Sequence, residues 1–194
     1  LNNLTLEIWC KIEGSVDEYR GLIGSPDWWE AGDFHWTITP SNNMEIGIHF
    51  GAGVGTAGIS GEYDFDENNI EQWVHLALSY ESGTFTKLFI DGQIDSDGSI
   101  YQTLNLTDLQ LGHVHSDARY FDGIMKNVRI SNIARYTDNF TPNLIFETDE
   151  HTLALYDFDL INEESLIIDI SGNGNHAINN GATWVENIYG CTDP

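Results

Sequence analysis

Apolar and polar residues alternate along most of this chain of 194 residues. In residues 4–12, Leu4, Leu6 and Ile8 fall on one side of an extended chain and polar residues fall largely on the other. This period of two is typical of strands with one buried face, and helical periodicity is almost absent. The same alternation marks four further runs, residues 34–38, 44–50, 73–80 and 86–90. The pattern predicts an all-β protein.

Turn-forming residues separate these runs. Pro-Ser-Asn-Asn at residues 40–43 joins two alternating segments and predicts a hairpin, and Asp91-Gly92 directly follows the run at 86–90. Further short runs occur near residues 109–112, 121–131, 152–158 and 166–170. Many short strands separated by turns indicate a β-sandwich or a barrel.

Several motifs follow one another in a characteristic order. Leu-Thr-Leu-Glu-Ile-Trp opens the chain at residues 4–9, and Trp-Val-His-Leu-Ala and Leu-Phe-Ile-Asp-Gly follow at 73–77 and 88–92. Asn-Val-Arg-Ile-Ser at 127–131 and Asp-Ile-Ser-Gly-Asn-Gly-Asn-His at 169–176 come later. Together they resemble laminin-G-like jelly rolls of the concanavalin A-like lectin and glucanase superfamily. The resemblance implies a two-sheet antiparallel β-sandwich. The alternation of apolar residues predicts that Leu6, Ile48, Leu78 and Ile130 share one interior.

The position of the last motif leaves the domain boundary open. In such jelly rolls the Asp-x-Ser-Gly loop precedes the opening strand, whereas here it follows the last one. Residues 152–189 either supply a permuted terminal strand or begin a neighbouring repeat. We favour the first alternative, because Leu153, Leu155 and Phe158 need a core to pack against. The predicted domain is 1–189.

The final residues, Gly-Cys-Thr-Asp-Pro at 190–194, are predicted to be a linker or the start of another module. They resemble the start of cysteine-containing modules in large secreted proteins of Bacteroidetes, and residues 129–136 resemble modules of such proteins and of phage structural proteins. The resemblance implies an extracellular or cell-surface location, with neighbouring domains of the same chain as partners. Cys10 is predicted to be a buried thiol, and a Cys10–Cys191 disulfide is left open.

Charge narrows the range of partners. Seven Lys and Arg against 31 Asp and Glu give a formal net charge of −24. A surface this negative repels nucleic acid and anionic membranes and favours divalent cations, neutral ligands or basic partners. No segment is long and apolar enough to cross a bilayer, so neither nucleic acid binding nor membrane insertion is predicted.

Two loops carry the candidate ligand-binding residues. Residues 26–36 contain adjacent tryptophans and are loop-like at their Pro and Gly positions, and residues 112–121 are rich in His and Tyr. Sugar rings pack against aromatic side chains, while carboxylates and imidazoles bind sugar hydroxyls. The predicted carbohydrate-binding residues are Trp28, Trp29, Asp33, His35, His49, His113, His115 and Tyr120. The alternative for the tryptophans is that they cover the core or a strand edge. At His113 and His115 a zinc site is conceivable, but we favour a solvated loop there.

A structural calcium ion is predicted at the loop of residues 169–176. Calcium binds six to eight oxygens, many of them carbonyl groups in tight turns. The predicted ligands are Asp157, Asp159, Asp169, Gly172 and Asn173. The alternative is an Asn-Gly turn that needs no metal. Lys126 stands where many relatives carry an acidic residue, so any calcium ligand at that position is lost.

One acidic segment resembles a catalytic motif. Glu-Tyr-Asp-Phe-Asp-Glu at residues 62–67 approaches the pattern of concanavalin-like β-glucanases, in which two glutamates carry out retaining hydrolysis. Glu67 has the wrong spacing to share a strand face with Glu62, and we therefore favour a solvated loop. The sequence predicts a non-catalytic extracellular binding or adhesion module for a carbohydrate or cell-surface ligand. A structural spacer in a surface adhesin or phage fibre, and a glycoside hydrolase using Glu62 and Glu67, are the alternatives.

Overall fold

The structure is a computed structural model that describes residues 1–14, 18–115, 119–160 and 165–185. These residues form thirteen strands. The described part of the chain contains no helix long and apolar enough to cross a membrane. The strands are β1 (Asn3–Ile12), β2 (Arg20–Gly24), β3 (Phe34–Ile38), β4 (Met44–His49), β5 (Thr56–Ser60), β6 (Trp73–Glu81), β7 (Phe85–Ile90), β8 (Gln93–Gly98), β9 (Gln110–Leu111), β10 (Gly123–Ser131), β11 (Thr152–Asp157), β12 (Leu166–Ile167) and β13 (Ala177–Ile178).

Two antiparallel sheets make up the body of the molecule. The six-stranded sheet has the order β11-β10-β1-β6-β7-β8, and the five-stranded sheet has the order β5-β4-β3-β2-β9. A small hairpin of β12 and β13 lies beside them. This is the predicted two-sheet antiparallel β-sandwich, and the predicted fold class is confirmed.

The core lies between the inner faces of the two sheets, where the alternating apolar residues meet. Leu6 of β1 pairs with Leu78 of β6 on one side and with Ile130 of β10 on the other. These three residues and Ile48 of β4 are buried in the same hydrophobic cluster, as predicted. Cys10 is a fully buried free thiol whose pKa is raised by burial; Cys191 lies outside the described residues.

The segment that follows β10 covers the outer face of the six-stranded sheet. We call residues 132–147 the strap. Tyr136 of the strap donates a hydrogen bond to Glu7 of β1 at 2.7 Å, and Glu7 pairs with Arg129 of β10 at 2.6 Å. Burial raises the pKa of Glu7, but the His75 imidazole, whose Nε2 lies 3.5 Å from the carboxylate, and the charge of Arg129 outweigh it, so the pKa lies below its usual value. Charged groups thus lie buried between sheet and strap.

Residues 152–157 complete the edge of the six-stranded sheet. β11 pairs with β10 in antiparallel register, and Ala154 and Tyr156 belong to the core cluster. The backbone N–H of Ile170 donates to the Leu155 carbonyl at 2.9 Å, which ties the following loop to the strand. The described part of the predicted terminal segment therefore adds a strand to this sandwich, whereas residues 190–194 lie outside the described residues.

Candidate functional site

The outer face of the five-stranded sheet carries the polar residues of β3 and β4. Because successive side chains of a strand point to opposite faces, Phe34, Trp36 and Ile38 enter the core while His35 and Thr37 point outward. On β4 the same rule places Met44, Ile46 and Ile48 in the core and the intervening Glu45, Gly47 and His49 outside. The strap does not lie on this sheet, so this face is where loops can form a site.

The first loop places Trp28 over this face. Its ring stacks on His35, with centroids 4.2 Å apart and an interplanar angle of 29°, and meets His49 edge-on at 5.5 Å. A Cβ atom at position 47 would lie 3.1 Å from the Trp28 ring, so glycine there leaves room for the indole. Of the two adjacent tryptophans, Trp28 lies on the sheet and Trp29 is 69% exposed.

Asp33 fixes the conformation of this loop. Its carboxylate accepts hydrogen bonds from the backbone N–H groups of Trp29 at 3.1 Å and Glu30 at 2.8 Å, and from the Asn105 side chain at 3.2 Å. Only 4% of Asp33 is exposed. This predicted ligand residue therefore holds the loop in place, and it is not among the residues that line the cleft described below.

The second loop forms the opposite wall. The His115 ring meets His35 edge-on at 5.3 Å, and the Arg119 guanidinium lies 4.1 Å from the centre of the Tyr19 ring. The Gly21 N–H donates to the Arg119 carbonyl at 3.2 Å, which holds this loop on β2. A Cβ atom at position 21 would lie 2.5 Å from that carbonyl oxygen, so only glycine fits beneath the loop without displacing it.

Between the two loops lies a cleft of about 200 Å³, which we call the His35 cleft. Pockets for drug-sized ligands span about 300–1,000 Å³, so this cleft suits a single sugar ring better than a larger ligand. Its lining residues are Tyr19, Trp28, His35, Thr37, Glu45, Gly47, His115 and Arg119.

His35, which lines this cleft, has a buried ring nitrogen without a hydrogen-bond partner among the described residues. The residue is 5% exposed, and its Nε2 atom has no hydrogen-bond partner among the described residues. Burial lowers the pKa of His35 to about 4, and the charges of His115 and Arg119 lower it further, against the effect of the Asp27 and Ser25 carbonyls. The imidazole is neutral near pH 7. A buried polar atom without a partner is costly, and a ligand hydroxyl would satisfy it.

The other predicted residues of the second loop form a separate stack beside the cleft. His113 stacks on Tyr120 with centroids 4.4 Å apart, and its Nδ1 atom lies 2.8 Å from Oε1 of Gln110. Burial lowers the pKa of His113, and nearby His115 adds to this effect. His113 and His115 thus contact different aromatic partners, Tyr120 and His35.

Of the predicted ligand-binding residues, the structure brings Trp28, His35, His49 and His115 together on one face and leaves Trp29 exposed outside the cleft. Sequence reasoning missed five lining residues: Tyr19, Thr37, Glu45, Gly47 and Arg119. Thr37 and Glu45 could have been predicted to lie on this face, because each is two residues from another outward-facing position of its own strand. Tyr19 and Arg119 could not have been, since loop packing alone brings them together.

The predicted calcium loop folds as a turn around one carboxylate. Asp169 accepts hydrogen bonds from the N–H groups of Leu155 (3.0 Å), Ser171 (2.8 Å) and Asn175 (3.0 Å), and from the Ser171 hydroxyl (2.8 Å). Gly172 adopts a φ of 89°, which favours glycine. Burial raises the pKa of Asp169, but these hydrogen bonds outweigh it and leave the pKa below its usual value.

The remaining predicted calcium ligands are also engaged within the protein. The Asn173 side chain donates to the Thr152 carbonyl at 2.7 Å, and Asp157 accepts the Asp159 N–H at 3.0 Å. Asp159 lies 3.6 Å from the Lys126 ammonium. Across the described part of the chain, no group of three or more Asp, Glu, His or Cys is placed to hold a metal ion. This arrangement suits the hydrogen-bonded turn stated above as the alternative, and calcium stays a prediction.

The segment that resembles a glucanase motif is a loop between β5 and β6. Glu62 and Glu67 are exposed, and neither lies on a strand. The N–H groups of Glu62 and Tyr63 donate to Asp95, and Phe65 is buried against the core. The segment adopts the favoured solvated-loop arrangement, without the shared strand face that paired catalytic carboxylates require.

Fold and cleft together define a class: a lectin-like jelly roll with a small aromatic cleft on one open sheet. The chain belongs to the family Laminin_G_3, described as the concanavalin A-like lectin/glucanases superfamily, whose model matches residues 1–139. The predicted resemblance is confirmed. Among curated proteins, none matches this chain.

Several solved structures share the fold. A protein of Bacteroides ovatus, provisionally assigned as carbohydrate binding, superimposes with a TM-score of 0.73 at 18% identity over 94% of this chain. The chain spans 53% of that protein's length. CBM40 of the Ruminococcus gnavus IT-sialidase gives 0.56 at 15% identity, covering 70% of this chain and 79% of its own. The botulinum neurotoxin serotype G binding domain gives 0.53 at 11% identity, covering 70% and 34%.

Proposed function

We propose that this chain is a non-catalytic carbohydrate-binding module that holds a sugar in the His35 cleft. The observation that carries the proposal is His35, which lines a cleft walled by Trp28 and Tyr19 and whose buried Nε2 atom has no hydrogen-bond partner among the described residues. An aromatic wall packs against the C–H face of a sugar ring, and a neutral imidazole nitrogen binds one of its hydroxyls. The cleft contains both groups.

The similar structures support this assignment. CBM40 of the Ruminococcus gnavus IT-sialidase has been solved with α2,3-sialyllactose bound, and the Bacteroides ovatus protein is provisionally assigned as carbohydrate binding. We place the module outside the cell, where such ligands are displayed, and within a longer protein. The Bacteroides ovatus relative, about twice as long as this chain, is in keeping with neighbouring domains as partners.

A glycan array probed with and without EDTA tests the proposal and separates sugar binding from any contribution of calcium. Binding to a defined set of glycans supports it. Absence of binding in both conditions contradicts it and leaves the structural spacer. Hydrolysis of laminarin that is lost in Glu62→Gln would contradict the non-catalytic assignment.

The adjacent tryptophans provide a matched pair of variants. We expect Trp28→Ala to weaken binding of the best array ligand about 10-fold or more, because it removes an aromatic wall of the cleft. Trp29→Ala removes an equally large but exposed ring outside the cleft, and we expect affinity within about two-fold of the parent. Isothermal titration calorimetry measures both. A larger loss in Trp29→Ala would move the site away from the cleft.

A further inference from the structure

Most of the basic side chains form ion pairs with carboxylates, and Arg119 differs from them within the described residues. The chain has seven Lys and Arg among 31 Asp and Glu, so a carboxylate is available near almost any basic residue. Five of the seven lie within 4 Å of one: Lys11, Lys87, Lys126, Arg129 and Arg135. Arg20 is buried and donates to the Asn42 side chain. Arg119 has no carboxylate partner within the described ranges, and it lines the His35 cleft.

Within the part of the chain that the structure describes, the contacts that hold Arg119 in position do not neutralise its charge. Its guanidinium lies over the Tyr19 ring at 4.1 Å, and its carbonyl accepts the Gly21 N–H. Stacking on an aromatic face leaves the N–H donors at the edge of the guanidinium plane free for a ligand. The charge of Arg119 also contributes to the lowered pKa of His35, which lines the same cleft.

We infer that Arg119 binds the carboxylate of an acidic sugar, an inference that rests on the proposed function and names its ligand class. A guanidinium forms two parallel hydrogen bonds with a carboxylate, the strongest polar contact that this set of lining residues can offer. A neutral sugar would offer no negative group to pair with the positive charge of Arg119.

The register of the sheet orients such a ligand. Gly21, beneath the Arg119 loop, pairs with Thr37, and Thr37 pairs with Glu45 on the next strand. Arg119 and Glu45 therefore lie at opposite ends of one row with Thr37 between them. Glu45 repels a carboxylate and accepts hydrogen bonds from hydroxyls, so the acid group of the sugar lies at the Arg119 end and its hydroxyls lie toward Glu45.

Two kinds of sugar share this chemistry, hexuronates and sialic acids, and the test includes both. Calorimetry at fixed ionic strength compares 3′-sialyllactose, digalacturonate and lactose as ligands of the parent protein, Arg119→Gln and Lys126→Gln. Lys126→Gln is the matched control, since it also removes one positive charge but lies on β10 of the other sheet. Tm values of all three proteins verify that the variants remain folded.

We expect at least one acidic sugar to bind the parent protein at least 10-fold more tightly than lactose. Arg119→Gln should weaken that binding about 10- to 100-fold and change lactose binding less than two-fold, the range expected when a charge-assisted contact is lost. Lys126→Gln should change neither. The methyl ester of the preferred sugar, which lacks the charge, should bind the parent and Arg119→Gln equally.

Three results would overturn the inference. If lactose binds the parent protein as tightly as both acidic sugars, the preference for acidic sugars is rejected, whereas the proposal that the chain binds carbohydrate is not. Equal losses for acidic and neutral sugars in Arg119→Gln would make Arg119 a support of the loop instead of a ligand contact. No binding of any of the three, together with a negative glycan array, would reject the proposed function itself.

Discussion

His35 determines how the site responds to pH. Its pKa in the folded protein is about 4, below the ordinary value of 6.5, so the folded state takes up this proton less readily than the unfolded chain does. The contribution of His35 to the free energy of unfolding therefore rises with pH between about 4 and 6.5 and is constant above pH 6.5.

We expect this pH dependence to decrease when the imidazole is removed. Between pH 4.5 and 6.5 the free energy of unfolding of the parent should increase more than that of His35→Gln, by about 1 kcal/mol after allowance for solvent screening. Urea unfolding at several pH values measures the difference. Identical slopes in the two proteins would show that His35 is protonated as readily in the folded state as in the unfolded chain.

Individual residues also show how far the sequence could predict the site. Strand alternation placed His35 and His49 outward, because that property depends only on the period of two. Which of the two tryptophans faces the cleft could not be predicted, since the loop conformation depends on Asp33 binding two backbone N–H groups. Arg119 came to the site through a loop that packs on Gly21, a contact without a local sequence signal.

Among the structural elements, the strap depends on a buried charged network. Glu7 accepts hydrogen bonds from Arg129 and from Tyr136 of the strap, and all three groups lie largely away from water. Such a pair contributes little net stability, but the removal of one partner leaves the other charge buried and uncompensated. The network therefore specifies where the strap lies on the sheet. The strands were predictable from the alternation of apolar and polar residues. The strap was not, because its sequence has no such alternation.

We expect Glu7→Gln to lower the free energy of unfolding by about 3–5 kcal/mol, because Arg129 then keeps a buried charge without a partner. Lys126→Gln, which breaks a more exposed pair with Asp159, should cost less than about 1 kcal/mol. Adding Arg129→Met to Glu7→Gln should recover part of the loss. Chemical denaturation checks all three. Equal stabilities of Glu7→Gln and the parent would show that the network is not buried in solution.

At the scale of the whole molecule, the net charge of −24 affects any test of metal binding. Self-repulsion of so many carboxylates destabilises the compact state, and any divalent cation relieves it by screening. A rise in Tm on adding calcium is therefore not by itself a sign of a calcium site. The matching effect of magnesium, which screens equally but prefers a stricter geometry, provides the baseline.

A calcium site at the loop of residues 169–176 predicts a larger rise in Tm with calcium than with magnesium at equal concentration, because binding to the folded state alone stabilises it. The excess should be absent in Asp169→Asn. Differential scanning fluorimetry with both ions measures it. Equal rises with the two ions would leave the loop as a hydrogen-bonded turn, in which Asp169 serves four donors of the protein itself.

The close contact of Gly21 with the Arg119 loop has a consequence for how this module can diverge. A single added methyl group at position 21, a residue that does not line the cleft, would displace the Arg119 carbonyl and with it one wall. In the proposed site, the shape of the cleft can thus change through a position outside its lining, while every lining side chain keeps its identity. Comparing only the ligand-contacting residues of two such modules would miss that change.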